Sequence, residues 1–196
     1  MNFLAHLYLS GKDEEIKLGN FIGDFVKGKK FMDFSEGVGK GILLHRSIDH
    51  YTDTHQTVQQ SKKRLGQKYG HYNGVIIDIF YDHFLAKNWG LFSDIELSTF
   101  ADQCYNLVDK NIHKLPEKVR YLLPFMVKDN WLVNYGQLSG VKRTMRGMAK
   151  RALYDSKMDE SITDLTTHYE YFEKDFLDFF PDIQKYVASI YPRLRI

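Results

Sequence analysis

Glu15-Ile16-Lys17-Leu18-Gly19-Asn20-Phe21-Ile22-Gly23-Asp24-Phe25-Val26 decides the fold class. Leu18, Phe21, Ile22, Phe25 and Val26 recur at three- and four-residue steps, which place them on one stripe of an α-helix. The same spacing holds for Val38, Ile42, Leu43 and Ile48, for Val75, Ile76, Ile79, Phe80 and Leu85, and for Phe100, Tyr105, Leu107 and Val108. Strand alternation is absent, and Asn73-Gly74 precedes a single apolar run, so it reads as a helix start and not as a hairpin turn. The only prolines are Pro116, Pro124, Pro181 and Pro192, so nothing forces a break in the first 115 residues. The spacing predicts helices over 2–10, 13–27, 35–51, 53–69, 73–88, 93–112, 116–135 with a bend at Pro124, and 160–180. A basic segment near 140–152 and a short C-terminal helix from 181 complete an all-α, single-domain helical bundle spanning 1–196.

Composition narrows the function. The chain has 196 residues, 43% hydrophobic and 27% charged, enough for one sizeable core and neither disordered nor fibrous. Lys plus Arg number 27 and Asp plus Glu 25, a net charge of +2 that is too balanced for an obligate nucleic-acid binder. No apolar run reaches the ~20 residues of a membrane helix. The opening Met-Asn-Phe-Leu-Ala-His lacks a basic leader and soon meets Lys12, Asp13 and Glu14, so a cytoplasmic location is expected. Cys104 is the only cysteine, which excludes a disulfide framework and a multi-thiolate zinc site. The 14 Phe and 13 Tyr read mainly as a bulky core with aromatic helix seams.

Polar residues interrupt the apolar stripes in pairs: Asn2/His6, Asn20/Asp24, His45/Asp49 and Asp78/Asp82. A four-residue step overshoots one helical turn by only about 40°, so each pair projects from one face. Asp24, Asp78, Asp82 and His6 all have apolar neighbours in sequence, and an unpaired buried carboxylate is costly. A shared divalent cation would neutralise them together, and His6, Asp24, His45, Asp49, Asp78 and Asp82 offer mixed nitrogen and oxygen donors that suit Mn²⁺, Fe²⁺, Zn²⁺ or Mg²⁺. Each residue also has a structural reading: His6 as a core histidine bonded to a carbonyl, Asp49 paired with Arg46, Asp78 with a distant arginine. Those readings need buried cations, and residues 1–11 and 71–86 contain no Lys or Arg.

Several stretches resemble the acyl carrier protein phosphodiesterases, also called acyl carrier protein hydrolases. They are Asn2-Phe3-Leu4-Ala5-His6-Leu7, Gly19-Asn20-Phe21-Ile22-Gly23-Asp24-Phe25-Val26-Lys27-Gly28, Gly41-Ile42-Leu43-Leu44-His45-Arg46-Ser47-Ile48-Asp49, Thr52-Asp53, and Asp78-Ile79-Phe80-Tyr81-Asp82-His83-Phe84-Leu85. Trp131-Leu132-Val133-Asn134-Tyr135 and Gly147-Met148-Ala149-Lys150-Arg151 fit the same pattern, so the likeness runs from residue 1 to about 190. It implies an all-helical, HD-domain-like enzyme, distantly related to metal-dependent phosphohydrolases. The implied reaction removes 4′-phosphopantetheine from holo acyl carrier protein, with Mn²⁺ favoured. Asp24 matches the aspartate that the family needs for activity. The implied ligands are drawn from His6, His45, Asp49, Asp78, Asp82 and His83. Here His45 is followed by Arg46 where the HD signature has Asp, and Asp82-His83 stands in reversed order.

Phosphodiester hydrolysis needs charge neutralisation and an activated water. Asp24, His45, Asp49 and Asp82 are expected to hold or orient the ion, with Arg46 or Lys27 on the phosphate and His83 or His6 protonating the departing serine oxygen. An acidic carrier calls for a basic docking patch. Lys142, Arg143, Arg146, Lys150 and Arg151 form a run without acids, Lys62, Lys63, Arg64 and Lys68 a second, and Lys27, Lys29 and Lys30 a third. Two other readings remain open here. One is an HD-type hydrolase of a nucleotide or other small phosphoester; the other is a non-enzymatic helical bundle that binds an acidic protein through residues 142–151.

Overall fold

Two helices meet at glycines. Asp13 starts the first of them by accepting the Ile16 amide at 2.9 Å, which satisfies one of the donors a helix N-terminus leaves open. Gly19 lies on this helix and Gly41 faces it from the other, while Gly23, just past the helix end, faces His45. A Cβ added at Gly19 would lie 2.0 Å from the Val38 carbonyl oxygen, and one at Gly41 would lie 2.2 Å from that of Ile16. Backbone therefore touches backbone, at a separation that only glycine permits.

In this computed structural model, which describes residues 1–194, the helices are α1 (Phe3–Leu9), α2 (Glu14–Ile22), α3 (Glu36–Thr54), α4 (Gln56–Arg64), α5 (Asn73–Lys87), α6 (Leu97–Lys110), α7 (Glu117–Lys128), α8 (Trp131–Asn134), α9 (Leu138–Arg151), α10 (Ser161–Thr167) and α11 (Tyr169–Ile190). Short 3₁₀ turns join many of them, and no strand occurs among the described residues. The fold class is all-α, as the spacing predicts. The last two residues of the unit expected over 1–196 lie outside the described residues.

α5 is apolar around most of its circumference, and Ile76, Ile77, Ile79, Phe80, Tyr81, Phe84 and Leu85 are buried. Such a helix belongs at the centre of a fold, and α1, α4, α9 and α11 surround it. α11 supplies an aromatic seam against it: Phe80 meets Phe172 edge-on at 5.2 Å, and Tyr81 meets Phe176 at 5.6 Å. Burying each such ring contributes roughly 2 kcal/mol.

Several sequence boundaries move. The helix expected over 160–180 is split at His168 into α10 and α11, and α11 runs on through Pro181 to Ile190 in place of a separate C-terminal helix from 181. α2 stops at Ile22, where the Gly23 amide turns back to the Asn20 carbonyl and a 3₁₀ turn carries Asp24 outward. The expected 53–69 helix begins only after His55, whose imidazole accepts the Thr57 amide. Neither Pro124 nor Pro181 ends a helix: both lie inside helices, on exposed faces where water can take the carbonyl that proline leaves unpaired. The helix expected over 116–135 is instead broken at Asn130, whose φ of 40° is a left-handed conformation that asparagine tolerates. The basic segment forms a helix of its own, α9.

Asp82 organises α1. Asn2 places no side-chain cap on that helix, and the open amides of Asn2, Leu4 and Ala5 donate instead to the Asp82 carboxylate at 3.1, 2.8 and 3.3 Å. Asp82→Ala is therefore expected to lower unfolding stability by about 3 kcal/mol, because three amides lose a fully buried charged acceptor. Urea titration measures it; a loss under about 1 kcal/mol would contradict the capping role.

Candidate functional site

α1, α3 and the 3₁₀ turn that follows α2 bring four predicted residues together. His6 Nε2 lies 3.1 Å from Asp49 Oδ1, and His45 Nε2 lies 3.1 Å from Asp49 Oδ2 and 3.4 Å from Asp24 Oδ1. The two imidazoles stack with centroids 4.0 Å apart. This proximity depends on the α2–α3 contact, since a Cβ at Gly23 would stand 2.2 Å from the His45 ring. The Nδ1 atoms are engaged on the far side, His6 with Asn20 Oδ1 at 2.7 Å and His45 with the Asn20 carbonyl at 2.8 Å.

The donor atoms of His6, His45 and Asp49 lie within 4.8 Å of one another. Buried His45 Nε2 has no aligned hydrogen bond despite its carboxylate neighbours. A buried polar atom left in that state, aimed at carboxylates beside a second imidazole, is the arrangement a divalent cation would satisfy. The residues present therefore fit such an ion.

Electrostatics agree with this geometry. Burial and the neighbouring His45 lower His6 to about 4. Burial works to lower His45 as well, but Asp24 and Asp49 overcome it and hold the ring at about 9. Burial opposes ionisation of Asp49, yet the His45 and His6 imidazoles against its two oxygens keep it well below the usual carboxylate range. His45 likewise lowers Asp24. Asp24 is 64% exposed and Asp49 39%, so the carboxylates open to solvent while both imidazoles stay buried.

The other predicted ligands are placed differently. Asp78 lines an acidic pocket with Asp24, Asp49 and Asp53, but its Oδ1 takes the Met1 ammonium at 2.7 Å. Asp82, expected as a ligand, commits its oxygens to the α1 amides. Burial raises it to about 7 even though those amides and the Met1 ammonium pull the other way. His83, expected as an acid, has neither nitrogen free: Nδ1 bonds the Tyr135 carbonyl and Nε2 the Tyr169 hydroxyl, each at 2.7 Å. Arg46, expected on the phosphate, donates to the carbonyls of Val26 and Gly28 and covers the Phe31 ring, which pins the chain beyond Asp24. Lys27 is exposed on that same segment and lines neither the acidic pocket nor the groove described next.

A groove of about 930 Å³ leads away from Asp24. Phe3, Phe25, Tyr121 and Phe125 give it apolar walls, and Arg143 and Arg151 of α9 charge its other side. Lys142, Arg143, Arg146 and Lys150 line an adjoining basic recess. None of these five cations forms an ion pair among the described residues. Among the described residues, no helix is long and apolar enough to cross a membrane.

A family model described as acyl carrier protein phosphodiesterase matches residues 1–183. A protein named acyl carrier protein phosphodiesterase from Photorhabdus laumondii subsp. laumondii is 35% identical over 182 residues, 92% of both chains. Proteins of the same name from Pectobacterium atrosepticum and Yersinia enterocolitica are each 30% identical over 182 residues, 92% of this chain and 94% of theirs. No solved structure matches the chain at a significant level.

Proposed function

The chain belongs to the acyl carrier protein phosphodiesterase family, and from that premise we propose that it hydrolyses the phosphodiester joining 4′-phosphopantetheine to the serine of holo acyl carrier protein. Water adds to phosphorus, the serine oxygen leaves with a proton, and the products are the phosphorylated arm and the apo carrier. The observation that carries this reading is the single groove linking Asp24 to the uncompensated Arg143 and Arg151. A charged phosphoester with an extended arm matches that combination of acidic mouth, apolar walls and cationic rim.

His6, His45 and Asp49 would hold a divalent cation, with Asp24 completing the set from the open side. The nitrogen and oxygen donors suit Mn²⁺, Fe²⁺, Zn²⁺ or Mg²⁺ alike, and the family resemblance favours Mn²⁺ among them. When bound, the ion would offset phosphoryl charge and lower the pKa of water. Asp24, exposed at the groove mouth, orients the attacking water. The walls at Phe3, Phe25, Tyr121 and Phe125 cover the methyl and methylene groups of the arm. Outside the groove, Lys142, Arg146 and Lys150 extend the cationic surface toward an acidic carrier, which steers encounter. The setting for this reaction is the cytoplasm.

Purified holo carrier incubated with the protein and Mn²⁺ should lose the mass of phosphopantetheine. The double variant Arg143→Glu/Arg151→Glu should raise KM by about tenfold or more with a smaller change in kcat, since like charges would face the carrier and the phosphate. No mass loss with any of the four cations would overturn the assignment. Nucleotide hydrolysis in its place would move the function to a small phosphoester, and metal-free binding of carrier without turnover would make the protein a docking module.

A further inference from the structure

We propose that Asn20 is the positioning residue of the cluster, setting the tautomer of both imidazoles for a cation: His6 through its side-chain carbonyl and His45 through its main-chain carbonyl. The inference rests on the metal-centred reading above.

The orientation of the amide follows from its partners. Asn20 Nδ2 donates to the His6 carbonyl at 2.8 Å and to Ser10 Oγ at 2.9 Å. Ser10 spends its own proton on the His6 carbonyl at 2.7 Å, so its oxygen is left to accept. Asn20 Oδ1 therefore faces His6 Nδ1 as a pure acceptor, and the ring must carry its proton there. The main-chain oxygen of Asn20 can only accept as well, which fixes the His45 proton on Nδ1. With Nε2 unprotonated, as a cation requires, both rings turn its lone pair toward Asp49. A positive charge belongs between them: in the metal-free protein a proton on His45 supplies it, and a bound cation would take that proton's place.

Asn20 is fully buried, and each side-chain polar atom serves this network. Its main-chain oxygen reaches His45 because α2 ends there and because glycines let α3 approach. One residue thus supplies the outer hydrogen bond of two ligands, the role usually given to separate carboxylates or carbonyls around a metal site.

Asn20→Leu keeps the branched shape and removes the side-chain acceptor facing His6 together with the Nδ2 donor, a donor that Asn20→Asp also lacks. In the metal-free Asn20→Leu protein, ¹⁵N resonances should show His6 moving from the Nδ1–H to the Nε2–H tautomer, while His45, bonded to main chain, stays unchanged. Calorimetric Mn²⁺ titration should show Kd rising by about 10–100-fold. Asn20→Asp, which preserves the acceptor oxygen, should keep the His6 tautomer and bind Mn²⁺ more tightly than Asn20→Leu. Should Asn20→Leu not fold, Asn20→Ser withdraws the acceptor from reach of His6 and carries the same expectations.

An unchanged His6 tautomer, or equal Mn²⁺ affinity in the wild type, Leu and Asp forms, would overturn the positioning role while the metal reading stands. A wild-type protein that binds no Mn²⁺, Fe²⁺ or Zn²⁺ would overturn both.

Discussion

Asp49→Ala is expected to abolish cation binding at the cluster, and hydrolysis with it, while the helical fold survives. Asp49 meets the Nε2 atoms of both imidazoles, each at 3.1 Å from a different oxygen. Its 39% exposure means that truncation opens no buried cavity. Charge stabilisation of several kcal/mol at the transferring phosphoryl group depends on a correctly held ion, so turnover should fall about 10³-fold or more. Asp24→Ala separates the two roles. With a single contact at 3.4 Å and high exposure, Asp24 should matter less to Mn²⁺ affinity, yet its loss should still lower kcat by about 10²-fold or more if it orients water. Metal-free stability gives an independent signature. His45 is raised from 6.5 to about 9, so its ion pairs stabilise the fold fully below pH 6.5, and that contribution is lost as pH rises through 9. Asp49 is depressed from 3.8, so its own contribution is complete only above that value. The stability gap between wild type and Asp49→Ala should therefore be widest between these limits and close above pH 9, as urea titrations across pH would record. An Asp49→Ala protein that retains Mn²⁺ affinity would place the ion elsewhere.

Asp49 and Asp82 show how far residue patterns reach. Both are acids one helical turn from another polar residue, Asp82 fully buried and Asp49 against two buried imidazoles, and both need a positive or donor partner. The pattern does not say which. Asp49 meets side chains that the sequence also marks, His6 and His45. Asp82 meets the amides of Asn2, Leu4 and Ala5, and backbone donors leave no trace in residue identity. His83 is obscure for the same reason, because a main-chain carbonyl and a distant tyrosine occupy its nitrogens. Asn20 stands in plain view beside Asp24, but its importance lies in bonds to the main chain of His6 and through its own carbonyl. The groove joins residue 24 to residues 121–151, so it becomes visible only once α7 and α9 are in place. Helical spacing, by contrast, is a local property, and the all-α class follows from it directly. Helix ends do not, since Pro124 and Pro181 are absorbed on exposed faces while an unremarked asparagine breaks the chain.

The glycines carried a signal that spacing alone could have yielded: Gly19 within one helix and Gly23 at its end, Gly37 and Gly41 within the next, each pair four residues apart. Gly41→Ala tests what they do. Its new Cβ would lie 2.2 Å from the Ile16 carbonyl oxygen and 2.8 Å from the Asn20 amide nitrogen. Neither atom belongs to a side chain that could swing away, so α2 and α3 must separate. Overpacking of this kind should cost about 3 kcal/mol or more, which for a chain of this size lowers Tm by roughly 10 °C. Gly74→Ala is the control. It adds a Cβ whose nearest neighbours are Lys62 side-chain atoms at 3.7 Å, within a helix, and should be neutral or stabilising by up to about 1 kcal/mol. The separation has a second consequence that simple destabilisation lacks. The His45 Nδ1 bond to the Asn20 carbonyl spans the same contact, so Gly41→Ala protein still folded at low temperature should bind Mn²⁺ less tightly than wild type. Thermal unfolding followed by Mn²⁺ titration below the transition reads both effects. A Gly41→Ala protein with unaltered Tm would show that the two helices do not need their backbone contact, and the account of how His45 reaches Asn20 would fall with it.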